Sequence, residues 1–216
     1  FNFKSPKIRK SCVVFSSPHS GSQYPAAFLA SSRLDSLSIR ISEDAFVDEL
    51  FMDAPEYGAH ILMAHAPRAF IDLNRHTDEL DPAIVKGVKR PPNNPRVEAG
   101  LGVIPRVVGN GQVIRSGKIP LAEAESRIAK YYTPYHNRLR ELLAEKRVEH
   151  GLAVLIDCHS MPQKALDNAP LVQGSRPDII LGDRFGTSSD RWVLEAAASI
   201  FETAGFRVAR NAPFSG

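Results

Sequence analysis

Two histidines stand just past apolar runs. His19 follows Cys12-Val13-Val14-Phe15 through Ser16-Ser17-Pro18, and His159 follows Leu152-Ala153-Val154-Leu155-Ile156 through Asp157-Cys158. Short β-branched apolar runs read as buried strands. In open α/β sheets the carboxyl ends of the strands are where ligands bind. Two imidazoles delivered to one such edge suit a hydrolytic metal centre, with an acidic side chain as third ligand. Asp44 and Asp48 are the candidates, one turn apart on an expected helix whose N-cap is Ser42. Asp44 is the expected ligand. Asp48 is the reserve, or the partner that orients a histidine. A solvated helix start, where acids suit the dipole, is the bland account of the same cluster. The expected ion is Zn2+, although histidine plus carboxylate admits other divalent metals.

Two further segments carry polar groups. Ala66-Pro67-Arg68 through Asp72-Leu73-Asn74-Arg75 reads as a strand over 69–73 flanked by arginines. Arginine forks match carboxylates, and a surface strand of paired charges fits the pattern as well. Tyr132, Tyr135, His136 and Arg138 surround Pro134; aromatic packing explains the tyrosines, and His136 is a candidate substrate contact or a capped core residue. Ser20-Gly21 lets the backbone turn sharply after His19. Neither Ser20 nor Ser160 sits in a GxSxG elbow, and the chain has no GxGxxG and no Walker lysine loop.

The elements that must hold these residues alternate. Strands are expected at 11–16, 59–64, 69–73, 152–157, 178–181 and 206–209. Helices are expected at 42–57, at 121–148 with a kink or break at Pro134, and at 190–204 ended by Gly205. Residues 76–120 are rich in Pro and Gly and read as a long irregular insertion, with a small hairpin around Gly109-Asn110-Gly111. The order argues for an α/β fold: a mixed, mostly parallel sheet with helices on both faces.

At 216 residues, 43% apolar and 24% charged, the composition is that of a globular protein with one sizeable core or two small ones. No stretch has the roughly 20 apolar residues of a membrane span, so no membrane partner is expected. The net charge of +3 is scattered except at Lys86, Lys89, Arg90 and Arg96, a prolyl loop with no interleaved aromatics, so no nucleic-acid partner is expected. Cys12 and Cys158 are far apart, read as free thiols, and fit a reducing cytoplasm.

The sequence resembles the N-formylglutamate amidohydrolase family over nearly its whole length. The resemblance rests on Pro18-His19-Ser20-Gly21, Asp44-x-x-Val47-Asp48-x-Leu50, Arg68 through Asp72-Leu73-Asn74-Arg75, and Gly102-Val103-Ile104-Pro105-Arg106. It continues through Pro134-Tyr135-His136, Asp157-Cys158-His159-Ser160-Met161 and Asp178-Ile179-Ile180-Leu181-Gly182-Asp183. It implies a three-layer αβα fold similar to zinc exopeptidase-like (phosphorylase/hydrolase-like) folds. It also implies a zinc-dependent hydrolase that cleaves N-formyl-L-glutamate to formate and glutamate at the end of histidine degradation. By resemblance His19 and His159 are metal ligands and the acidic ligand lies within the Asp44/Asp48 motif. Arg68 is expected to stabilise the oxyanion, with His136 beside it as a catalytic residue. Ser20, Asn74, Arg75 and Arg106 are expected to bind a small N-acyl amino acid. Residues 1–216 are expected to form one domain of this type lacking its C-terminal segment, with the general base past Gly216. A zinc amidase for another N-acyl amino acid, or a non-catalytic binding protein on the same fold, is the alternative.

Overall fold

The computed structural model describes residues 1–89, 94–167 and 169–216. Arg90, Pro91 and Pro92 of the basic loop lie outside the described residues. The chain forms two compact units, Phe1–Ser160 and Met161–Gly216.

The first unit is built on a sheet of four strands. These are β1 (Asn2–Lys4), β2 (Val13–Ser17), β3 (His60–Met63) and β4 (Val154–Asp157), in the order β1-β3-β2-β4. β2 is central and runs parallel to both β3 and β4, while β1 is antiparallel to β3. The apolar runs around 13, 61 and 155 therefore form the mostly parallel sheet that their composition implies. Val14, Ile61 and Leu62 are fully buried. β1 was not expected; its three residues lie in a basic stretch, and only pairing with β3 reveals them as a strand.

Register then does the positioning. Ser16 lies opposite Asp157 and Ser17 opposite Met63, so β2, β3 and β4 end together. A parallel sheet sends its carboxyl ends to one edge, and His19 and His159 each follow such an end by two residues.

The helices depart from expectation where backbone chemistry intervenes. After α1 (Ala26–Ser31) and a 3-10 turn at Ser38–Ser42, the expected helix over 42–57 is two short pieces: α2 (Val47–Leu50) and a 3-10 turn at Ala54–Tyr57. Phe46 sits at φ +65°, in the left-handed region, and interrupts the ladder before α2. Pro55, with no N–H to donate, opens the second 3-10 turn. Asp44 thus precedes α2 and does not share a helix face with Asp48. The expected strand over 69–73 is also absent. The Pro67 carbonyl accepts from the N–H groups of Phe70 and Ile71, which closes a turn where a strand was expected.

Among its described residues the long insertion holds one short helix, α3 (Pro95–Glu98), capped by Asn94, whose Oδ1 accepts from the N–H groups of Arg96 and Val97. Its hairpin is present, with Val107 bridged to Val113 around Gly111 at φ +82°. The third expected helix runs as α4 (Leu121–Arg127), a π-helical turn (Ile128–Tyr132) and α5 (Thr133–His150). The wide turn, in which Thr133 N–H reaches Ile128 O, lies just before Pro134 and takes up the strain of a residue that cannot donate. Tyr135, Leu139, Leu142 and Lys146 form the buried face of α5, and α5 packs on β2 and β3.

The second unit contains β5 (Ile179–Leu181) and β6 (Val208–Arg210), paired in parallel, with α6 (Arg191–Thr203) packed against both. Leu194 and Ala198 are its buried positions, and Gly205 at φ +90° follows its end. The α/β class with a mostly parallel sheet is as the sequence indicates. No helix among the described residues is long and apolar enough to cross a membrane.

Gly21 has a steric reason. A Cβ on Gly21 would lie 2.2 Å from the Ala66 carbonyl oxygen, because the segments after β2 and β3 touch there. Gly21→Ala is expected to cost about 1–3 kcal/mol of stability, as overpacking does. Urea unfolding checks this, and a midpoint equal to the wild type would show that the two backbones can separate freely.

Candidate metal centre

His19, Asp44 and His159 meet at the carboxyl edge of the sheet. One ligand atom from each lies within 4.8 Å of the others. The imidazole centroids of His19 and His159 are 4.8 Å apart. Asp44 Oδ2 is 3.5 Å from His19 Nδ1 and 2.8 Å from His159 Nδ1. The Asp44 backbone N–H donates to the His19 carbonyl at 3.0 Å, so the loop before α2 is tied to the loop after β2. Ser160 Oγ donates to Asp44 Oδ1 at 3.2 Å.

The donor set fits a divalent cation. His19 is 2% exposed, yet its Nδ1 has no hydrogen-bond partner. A buried, unpartnered nitrogen facing a carboxylate and a second imidazole is costly unless a cation joins them. His159 keeps a third of its side chain exposed, so the cluster has an open side. Two histidines, a carboxylate and one open direction are the features of a catalytic zinc site. Burial pushes the Asp44 carboxyl up, but the hydrogen bond from His159 and the nearby His19 ring outweigh it and hold the group well below the usual carboxylate range. Burial pulls His159 down, but hydrogen bonds to Asp157 and Asp44 win and raise it to about 9. The trio is poised to hold positive charge between its members.

Each histidine has a second carboxylate behind it. His19 Nε2 is 2.8 Å from Asp72 Oδ1, and His159 Nε2 is 2.9 Å from Asp157 Oδ2. Sequence reasoning had offered Asp48 for this orienting role; Asp48 is not part of the cluster. Asp72 and Asp157 were visible in their segments without a role. The available signal was Asp157-x-His159 at a strand end; nothing local announced that Asp72 would face His19.

The other expected residues fall around this centre in different ways. Arg68 Nε donates to Asp72 Oδ2 at 3.0 Å. Asn74 Nδ2 donates to Asp157 Oδ2 at 3.1 Å and lies 3.1 Å from His159 Nε2. Arg75 donates to the carbonyls of Leu101 and Asn74 and stays 3.8 Å from Asp72. His136 Nε2 lies 2.7 Å from the Leu73 carbonyl, beside Asn74, and its ring is stacked near Tyr132. Burial lowers its pKa, opposed by that backbone bond. Ser20 is turned inward against Ser17. Arg106 is engaged away from the cluster, on Asp81 at 2.8 Å and on the Glu98 carbonyl at 3.0 Å.

Residues 11–216 match the family model described as N-formylglutamate amidohydrolase. The chain is 31% identical over 209 residues to the N-formylglutamate deformylase of Pseudomonas aeruginosa, covering 94% of this chain and 71% of that protein. It is 28% identical over 207 residues to the N-formylglutamate deformylase of Pseudomonas putida, again covering 94% and 71%. Its structure superposes on the crystal structure of N-formylglutamate amidohydrolase from Ralstonia eutropha JMP134 with a TM-score of 0.89 at 32% identity, covering all of this chain and 77% of that one. A gene product of Agrobacterium tumefaciens, at 20% identity and a TM-score of 0.58 over 95% of this chain and 71% of that one, shares the fold.

Proposed function

The chain belongs to the N-formylglutamate amidohydrolase family, and on that premise we propose that it hydrolyses the formyl amide of N-formyl-L-glutamate with a zinc ion held by His19, Asp44 and His159. The observation that carries the reading is the convergence of these three side chains, one with an unpartnered buried nitrogen, at the edge where a parallel sheet binds ligands. Two deformylases and a structural relative that bear the substrate's name support the substrate class. The family match runs across both compact units, which supports reading them as parts of one family domain.

When bound, such an ion supplies Lewis acidity, polarising the scissile carbonyl and lowering the pKa of water to about 7 in favourable sites. The chain's own groups bind and orient. Arg68 spends its Nε on Asp72, which leaves the rest of its guanidinium to meet developing negative charge on the formyl oxygen. Arg75, beside Asp72, is placed to meet a glutamate carboxylate, whereas Arg106 is held by Asp81 and the Glu98 carbonyl. Asn74 and Ser20 fix the loops on which the histidines stand. His136 steadies Leu73 beside Asn74. Two free cysteines fit a reducing cytoplasm, and the products, formate and glutamate, suit the last step of histidine degradation.

The test is hydrolysis of N-formyl-L-glutamate, followed as released formate, before and after exhaustive chelation. Activity is expected to vanish with the metal and to return with added Zn2+. Parallel assays with N-acetyl-glutamate and with formyl derivatives of neutral amino acids locate the specificity. Full activity in the metal-free protein would sink the mechanism, and preference for another acyl group would move the substrate.

A further inference from the structure

We propose that Asp72 and Asp157 are positioning residues that hold His19 and His159 as Nδ1 ligands, each through its own relay of hydrogen bonds. The proposal rests on the metal-hydrolase reading above and concerns how the chain prepares that site.

The relays follow from counting hydrogens. Asp72 is 1% exposed. Its Oδ1 lies 2.8 Å from His19 Nε2 and accepts from the Asn74 backbone N–H at 2.9 Å. Its Oδ2 accepts from Arg68 Nε at 3.0 Å, with Arg75 Nε 3.8 Å away. With a guanidinium N–H on one oxygen and a backbone N–H on the other, Asp72 is placed as a carboxylate that accepts on both sides. An ionised carboxylate only accepts. The 2.8 Å contact is therefore a hydrogen bond only if His19 Nε2 carries hydrogen. In a neutral ring that leaves the lone pair on Nδ1, the atom that is buried without a partner and faces Asp44.

The second relay reaches the same result by a different route. Ser16 Oγ donates to Asp157 Oδ1 at 2.8 Å, which uses its single hydrogen. Tyr135 Oη, 2.9 Å from Ser16 Oγ, must then be the donor in that pair. Asp157 Oδ2 accepts from Asn74 Nδ2 and from His159 Nε2. Nε2 thus donates to Asp157, while Nδ1 stands 2.8 Å from Asp44 Oδ2, a hydrogen bond whose proton a metal ion would replace. One relay thus ends in a half-buried arginine pair and the other in a buried phenol. Asn74 joins them, with its backbone on Asp72 and its amide on Asp157. Both imidazoles are turned toward one point. Carboxylates of this kind raise the basicity of the ring nitrogen that binds metal.

The experiment uses the protein labelled with 15N at histidine and loaded with one equivalent of Zn2+. Long-range 1H–15N correlation spectra are expected to show both rings protonated at Nε2 and bound through Nδ1. Either ring bound through Nε2 overturns the assignment. In a second measurement, Zn2+ affinity is read by competition with a chromophoric chelator. Asp72→Asn and Asp157→Asn are each expected to weaken binding by about 10–100-fold. The alanine variants should weaken it further, since asparagine keeps one acceptor oxygen. Wild-type affinity in both asparagine variants overturns the proposal. The spectra of the wild-type protein decide the matter even if Asp72 variants do not fold. A wild-type protein that takes up no Zn2+ overturns both this proposal and the metal reading. One that binds Zn2+ and releases formate, but through Nε2, overturns this proposal alone.

Discussion

Asp44→Asn is expected to abolish stoichiometric zinc uptake and to lower kcat/KM for N-formyl-L-glutamate by at least about 10³-fold. The size follows from the several kcal/mol that a metal contributes to transition-state charge, at about 1.4 kcal/mol per decade of rate. Asparagine matches aspartate in shape and can still accept from Ser160 Oγ through its carbonyl oxygen. Its backbone N–H is unaffected and remains on the His19 carbonyl. What disappears is the one negative charge between two imidazoles whose Nδ1 atoms lie 3.5 and 2.8 Å from it. Asp48→Asn is the matched control. Asp48 sits within α2, beyond the left-handed Phe46, and should lose neither metal nor rate. Metal analysis of the two purified variants decides between the carboxylates, and metal retained by Asp44→Asn but lost by Asp48→Asn would transfer the ligand role.

The way this site is encoded explains which parts of it could be read in advance. His19 and His159 were legible because each stands after an apolar β-branched run, and such runs become strands through local composition. That both leave the same edge required only that the strands be parallel. Asp44 was legible as a residue type near the right place, but for a wrong structural reason. The Ser42 cap and the one-turn spacing of Asp44 and Asp48 suggested a continuous helix over 42–57, and Pro55 and the backbone of Phe46 break it. Position 69–73 shows the opposite failure. Ala69, Phe70, Ile71 and Leu73 are apolar because they are buried, and burial alone does not make a strand once Pro67 has closed a turn. The carboxylates behind the histidines were the least legible. Asp72 reaches His19 across 53 residues, and Asp157 meets Ser16 across 141, through strand register that no local pattern states. Arg106 shows a related limit. Its motif marked it as important, and the structure gives it the work of tying Asp81 to the Glu98 carbonyl.

Tyr135 is where the stability of the sheet and the preparation of the site meet, and two substitutions separate these roles. Tyr135→Ala is expected to cost about 3–5 kcal/mol, the range for truncating a buried aromatic. The side chain is 1% exposed on the face of α5 that packs on β2 and β3. Against a total stability of roughly 5–15 kcal/mol, that loss leaves little or no folded protein at moderate temperature. Tyr135→Phe keeps the ring and its edge contact with Phe1 and removes only the hydroxyl. Its stability cost should be about 1 kcal/mol, the net value of a typical hydrogen bond. Ser16 would then have no donor behind it, although its own hydrogen would still reach Asp157. The phenylalanine variant should therefore fold, bind zinc more weakly than the wild type, and keep the Asp72 side of the site unchanged. Thermal unfolding of both variants, with chelator competition on the phenylalanine variant, tests the pair. If Tyr135→Phe lost as much stability as Tyr135→Ala, the hydroxyl would outweigh the packing of the ring, and the face of α5 would have to be rebuilt around a polar contact.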